Sequence, residues 1–284
     1  MGAGTLESAV FKFAELTCNL SDQELEHEWV WQDYDEGVRF AFFRNYEDLS
    51  TLAAKLEAGR SAPFSEAQRI LAQYHGAYRD LQALLLGIDN DLAIQEPAEG
   101  EWPLLSVLVH FVQAERTFFA IVYYTLERQH SGDDRPLEMP DEAWEAFWAG
   151  DPFEQLKEKG RFSELLAYYD QLHHRVLEAF TGINDDELQL PVVFWESTPM
   201  PVRFRLHRFD SHMRQHTIQI QKTLDMLDRR PNEARRLLRL IYNALAKVEA
   251  ARLGNGEIGE KECQALATQL AARAGEIETI LSNG

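Results

Sequence analysis

The segment HRFDSHMRQHTIQIQKTL, from His207 to Leu224, places three histidines within ten residues. His212 and His216 are four apart. On an α-helix they share one face about one turn from each other, near enough for both imidazoles to reach one ion. Chance alone supplies roughly 0.3 such H-x-x-x-H pairs in a chain of this histidine content, so the spacing needs support from its surroundings. His207 lies five positions before His212, which turns it about 140° round the helix, and it is expected to point elsewhere. The natural third ligand is His110, in the row Val107–His110–Ala114–Phe118–Ile121 of another helical stretch. That row is otherwise apolar and is expected to face a core. So is the His212/His216 face, with Phe209, Met213 and Ile220 beside it. A single imidazole in such a row is ordinarily a hydrogen-bonded core residue. Three converging on one core need partners or an ion.

Three neutral imidazoles leave a divalent ion at least one open position, an arrangement that catalytic sites use and structural zinc sites avoid. Such an ion lowers the pKa of a bound water, or holds a substrate thiolate and polarises an electrophile beside it. Zinc is the first choice, with nickel, iron and manganese as alternatives because imidazole is not selective. Gln219, one turn beyond His216, is placed to orient a ligand, although a solvated or capping role is the commoner use of such a side chain. Of the adjacent His173 and His174, at most one faces the site as a general base, since neighbours on a helix point about 100° apart. The sequence shows no Ser-His-Asp order, phosphate loop or C-x-x-C motif. Trp31, Trp102, Trp144, Trp148 and Trp195 read as core or loop anchors.

Helices must position these residues. Periodicity of three and four residues dominates the chain, and no stretch shows sustained strand alternation. SEAQRILAQYHGAYRDLQALLLG has an N-cap at Ser65 and a stop at Gly87. EWPLLSVLVHFVQAERTFFAIVYYTLERQH starts with Pro103 in its first turn and ends at SGDD. FSELLAYYDQLHHRVLEAFTG closes on Gly182, and a fourth helix runs from about Phe204 to Leu227. Four amphipathic helices within residues 64–228 make a four-helix bundle. The segment SGDDRPLEMPDEAWEAFWAGDPFEQLKEKGR between the second and third is too long for a bundle loop. It is expected to carry a short helix near DEAWEAFWAG and to cover one end of the bundle.

The flanks echo the middle. LSDQEL (20–25) followed by VRFAFFRNYEDLSTLAAKL (38–56) parallels INDDEL (183–188) followed by VRFRLHRFDSHMRQHTIQI (202–220). RLLRLIYNALAKVEAARLG (236–254) parallels RILAQYHGAYRDLQALLLG (69–87), again closing on glycine. This internal repeat predicts a second bundle, built from hairpins in residues 1–60 and 232–281. In the shared register Asp48 and Leu52 stand opposite His212 and His216, and the C-terminal hairpin has no histidine. The second bundle is therefore expected to be metal-free and structural.

EWPLLSVLVHFVQAE followed by HMRQHTIQIQKTL resembles the DinB/YfiT-like superfamily of metal-binding four-helix bundles. Its members typically carry a tryptophan before the second helix, a histidine two turns into it and H-x-x-x-H on the fourth. The resemblance spans about residues 64–228 and implies an all-α, up-down-down-up bundle whose triad maps onto His110, His212 and His216. Related proteins include thiol-dependent transferases and isomerases that use bacillithiol, mycothiol or glutathione, and many have no known activity. Pro103 stands where a small polar residue usually follows the tryptophan, which is harmless in a first turn. Many members dimerise. A split second bundle imitates a partner within one chain, so monomer and homodimer both stay open.

Composition bounds the partners. With 28 basic and 47 acidic residues the net charge is −19, which disfavours phosphate backbones and anionic lipid surfaces. Nucleic-acid and membrane roles are not expected. Two distant thiols, Cys18 and Cys263, fit a reducing compartment. The first residues lack a basic start with an apolar core, and no run approaches 18 apolar residues, so a cytoplasmic location is expected. Two readings follow. One is a metal-dependent transferase or hydrolase acting on a small molecule, assisted by a low-molecular-weight thiol. The other is a non-catalytic, metal-stabilised stress-related or interaction module. A pocket open to solvent above the histidines favours the first, and a closed site with a fourth protein ligand favours the second.

Overall fold

Several of the long helices begin at a residue whose side chain satisfies a first free N–H group, while those starting at Val38, Leu104 and Val202 follow Gly37, Pro103 and Pro201 without such a cap. The computed structural model describes residues 5–196 and 198–283, and among them are eleven α-helices. In chain order they are α1 (Leu6–Thr17), α2 (Val38–Ala58), α3 (Glu66–Leu84), α4 (Asn90–Ala93), α5 (Leu104–Ser131), α6 (Asp141–Phe147), α7 (Phe153–Lys159), α8 (Phe162–Phe180), α9 (Val202–Met226), α10 (Glu233–Ala251) and α11 (Glu260–Asn283). The Thr5 hydroxyl caps α1, and the Ser65 hydroxyl accepts from Gln68 N–H at the start of α3. The Glu164 carboxylate accepts from Arg161 N–H at the start of α8. Asn232 caps α10 with its side-chain oxygen, while its amide nitrogen donates to the carbonyls of Cys18 and Leu20 beyond the end of α1. The protein is all-α, with one two-stranded antiparallel ribbon, β1 (Pro191–Val192) and β2 (Met200–Pro201). Two-residue strands are too short to show alternation, so periodicity did not foresee them.

The chain divides into two compact units. One contains the described residues up to Pro63, Tyr78–Gly87 and the described residues from Arg229 on; the other contains Phe64–Ala77 and Ile88–Asp228. In the first, α2 packs along α10 and α1 along α11. Val10, Phe13, Phe42, Leu49, Leu238, Leu245, Leu270 and Ile277 fill its core. Charges buried in this unit are paired. Arg79 is held by both oxygens of Glu249 and by Glu7, and Arg273 reaches Asn45 and Asp48. Cys18 and Cys263 are free and buried, and burial pushes both thiols up from their ordinary pKa. They are poor nucleophiles for that reason.

In the second unit α5 packs on both α8 and α9. Its inner face is Leu104, Val107, Leu108, Phe111, Val112 and Glu115. Although charged residues break its apolar run, α5 is long and apolar enough by composition to cross a membrane, but 61% of its most apolar window is buried within the protein. That is how a core helix of a soluble fold behaves. The segment between α5 and α8 forms two short helices, α6 and α7, where one was expected; Asp151 starts the second by accepting from Phe153 N–H.

The same turn occurs once in each unit. Ser21 N–H donates to Glu24 Oε2, a 3-10 turn Glu24–Glu26 follows, and Val38 N–H donates to the His27 carbonyl as α2 begins. Asn184 N–H donates to Glu187 Oε2, a 3-10 turn Glu187–Gln189 follows, and Val202 N–H donates to the Leu190 carbonyl as α9 begins. Gly37 closes the first of these at φ 70°, where an added Cβ would meet the His27 carbonyl at 2.9 Å. No other residue type fits that approach without strain.

Because the apolar faces of α1 and α2 are covered by α10 and α11, removing residues 232–284 should leave α1 and α2 without a core. Hydrogen exchange on the truncated chain should then show their amides exchanging as in an unfolded peptide. Native-like protection of α1 and α2 would show that the hairpin folds alone.

Candidate metal centre

On α9 the four-residue spacing brings His212 Nε2 to 3.0 Å from His216 Nε2. His110, from the second turn of α5, sets its ring 4.9 Å from that of His216 and 5.7 Å from that of His212, centroid to centroid. One ligand atom from each of the three lies within 4.8 Å of the others. That spacing is close enough that the three could hold one metal ion, zinc–nitrogen bonds being about 2.0–2.1 Å. Phe111 stacks on His212 and Phe118 meets it edge-on at 5.6 Å, so apolar rings wall the inner side. His212 and His216 are buried, at 7% and 5% exposure.

His110 departs from expectation. It is exposed, whereas all three imidazoles were expected to look inward. Phe111, at 1% exposure, takes the core position, and His110 lies about 100° round α5 at the edge of the apolar face. The edge of Trp102 or His110 meets the other's ring, with centroids 5.5 Å apart, and Trp102 is itself 47% exposed. The three donors thus converge at a rim, with two imidazoles seated in the core and one at the solvent boundary.

Tautomers follow from the hydrogen bonds. Gln219 Oε1 lies 2.8 Å from His216 Nδ1 and can only accept there, which puts the His216 proton on Nδ1 and a lone pair on Nε2. That lone pair faces His212 Nε2. Neutral His212 satisfies it by donating from its Nε2–H tautomer, and with its proton on Nδ1 instead the two lone pairs face a position that a cation can take. Burial drives the His212 pKa down to about 3, with the neighbouring His216, His110 and Arg208 acting in the same direction. Burial also lowers His216, partly opposed by Gln219. An added proton is disfavoured here, and the donor set of three neutral imidazoles is one that binds borderline divalent metals.

The sequence model of the DinB superfamily matches residues 73–220, more than half of the chain, and includes all three histidines. The chain belongs to the DinB superfamily. No curated protein and no solved structure matches it.

In this DinB domain His207 is exposed and stands outside the group of three, in line with its expected rotation away from them. His173, weighed above as a general base, is fully buried with its Nε2 2.9 Å from His75 Nδ1, and the exposed His174 turns its Nδ1 to the Asp170 carbonyl. Trp102, read as an anchor, borders the histidines. The ribbon β1–β2 is tied down by Arg205, at 1% exposure, which binds both carboxylate oxygens of Glu196 and holds that acid at about 2. Phe194 from the same loop reaches Phe118, the ring that meets His212.

Glu115 is the least expected residue of the DinB domain. Its side chain is fully buried on the inner face of α5, and its Oε2 accepts from the Tyr74 hydroxyl at 2.7 Å. Burial pushes its pKa up to about 8, against the hydrogen bonds of Tyr74 and Tyr169. One acid within the apolar run of FVQAERTFF was the available signal. The folded value lies above the ordinary 4.5, so between about pH 4.5 and 8 the native protein holds a proton that the unfolded chain has lost. Stability from this source is complete below that window and falls as pH rises through it. Glu115→Gln, neutral throughout, should gain on the wild type by about 1.4 kcal/mol per pH unit across the window. Urea unfolding at pH 5 and pH 8 measures this, and parallel pH profiles for the two proteins would refute it.

Proposed function

We propose that His110, His212 and His216 hold one divalent ion, zinc before nickel, iron or manganese, and that this centre serves a transferase or hydrolase reaction on a small molecule. The observation that carries the reading is the mixed burial of the three donors. His212 and His216 are seated against Phe111 and Phe118, while His110 opens to solvent. Among the described residues no fourth His, Cys, Asp or Glu joins them. A donor set closed on one side and open on the other suits ligand exchange better than it suits a structural clamp.

In this reading Gln219 keeps the His216 lone pair on Nε2, and the phenylalanine wall keeps water from the inner side of the donors. Trp102 borders the opening, where an apolar part of a substrate would pack. A bound ion supplies Lewis acidity at its open position. The thiol co-substrate rests on the family resemblance, and a reducing cytoplasm is the setting that keeps such a thiol available.

We also read the two units as diverged copies of one bundle. The matching turns, each with its acid-capped N–H, 3-10 turn and returning valine, support this. At the position matching His212, Asp48 is bound by Arg44 at 2.6 Å and Arg273 at 3.0 Å, which makes an ion-pair network in place of a donor set.

Metal analysis of the purified protein tests the centre. Wild type and His207→Ala should carry about one divalent ion per chain, and His212→Ala and His216→Ala should carry almost none. Equal loss in His207→Ala would overturn the ligand assignment. Chelation should lower the melting temperature by about 5–10 °C without loss of helix at room temperature, since the apolar cores persist. Global unfolding on chelation would make the ion structural.

A further inference from the structure

The segment between α5 and α8 plays no part in the histidine centre, yet it builds a second concavity in the same unit. Two adjoining cavities of about 300 and 350 Å³ share Phe147 and Arg175. The first is lined also by Trp148, Asp151 and Tyr168, and the second by Phe119, Tyr123 and Glu178. Such volumes match small-molecule sites.

The walls are aromatic. Phe147 lies 5.5 Å from Phe119, 5.2 Å from Tyr123 and 4.8 Å from Trp148, between ring centroids. One donor stands beside them. The Arg175 guanidinium stands 5.3 Å from the Phe119 ring and 5.4 Å from that of Trp148, and among the described residues no carboxylate pairs with it. Trp148 is 8% exposed and contributes its ring to the wall of the first cavity.

The acids of the site are differently placed. Asp151 accepts from the Tyr168 hydroxyl with both oxygens and pairs with the buried Arg116 at 3.1 Å, so its charge is compensated. Glu178, one turn beyond Arg175, borders the second cavity and disfavours a second negative charge there. The chain's net charge of −19 does not decide the matter, because repulsion beyond about 8 Å is screened at physiological salt.

We propose that this cleft binds a small monoanionic carboxylate bearing a flat apolar ring, with Arg175 as its carboxylate donor. The ring packs among Phe119, Tyr123 and Phe147. The site is separate from the histidine centre and does not depend on a metal.

The probe is 2-naphthoate, with 2-naphthamide as its uncharged counterpart, and calorimetric titration is the measurement. Wild type should bind naphthoate saturably at one site and the amide about tenfold more weakly. Arg175→Gln, a change at an exposed position, should weaken naphthoate about tenfold and leave the amide unchanged. A carboxylate could also coordinate a metal held by the histidines, so the titration is repeated on His216→Ala. Unchanged affinity there supports the cleft, and loss of binding overturns it in favour of the metal. No saturable naphthoate binding, or equal affinity in Arg175→Gln, also overturns the proposal.

Discussion

Two imidazole nitrogens held 3.0 Å apart on one turn of helix constrain everything around them. Gln219 fixes one of them as a lone pair, and burial makes an extra proton on the other costly. Neutral His212 can carry its proton on Nε2 and donate it into that lone pair; with its proton on Nδ1 instead, two lone pairs face each other and repel unless a cation lies between them. In water such repulsion would be small, but beside Phe111 and Phe118 the local dielectric is low and little screens it. The arrangement persists because α9 is clamped along its length. Val202, Leu206, Phe209, Met213 and Ile220 are all buried on the same side as the pair. The packing holds the nitrogens in place, joined by the proton of neutral His212 or by a cation that replaces it.

The other unit answers the same steric question with different chemistry. Asp48 sits on α2 where its first turns repeat the VRF start of α9, and Arg44 and Arg273 neutralise it. A buried ion pair of that kind holds elements in register, but removing one partner leaves an uncompensated charge that costs several kcal/mol. The imidazole pair carries no charge of its own. Losing an ion there leaves neutral groups, and the bundle keeps its apolar core. The first solution suits a scaffold and the second suits a site whose occupant exchanges.

Much of this was legible in the residues. Helix positions followed from local signals such as the Ser65 cap, the stops at Gly87 and Gly182, and three- and four-residue apolar steps. The pairing of His212 with His216 is also local, since both ride one helix. What failed was the facing of His110. That row spans about 80° of a 3.6-residue helix with His110 at its outer edge, while Phe111, about 100° away on the other side of Val107, takes the core position. Glu115, His75 and Arg116 were invisible for a different reason. Their burial depends on partners such as Tyr74, His173 and Asp151, which come from distant parts of the sequence and meet only in the folded unit. The short ribbon β1–β2 escaped because two residues carry no period.

Charge gives the rim position of the three histidines its chemical meaning. Carboxylate ligands would neutralise a divalent ion as they bound it, whereas three neutral imidazoles leave its full charge in place. In a chain of net charge −19 the surrounding field favours capture of a cation and opposes the approach of anions from afar. Within a Debye length the balance reverses, because Arg208 adds its positive charge to that of an ion at the histidines. A substrate would then be chosen at short range by its own donor atom, a thiolate or a polarised oxygen, and not by long-range steering. That demands an opening wide enough for direct contact. Burying His110 with its two partners would have closed it, so the residue that breaks the inward-facing pattern is the one that makes the centre accessible.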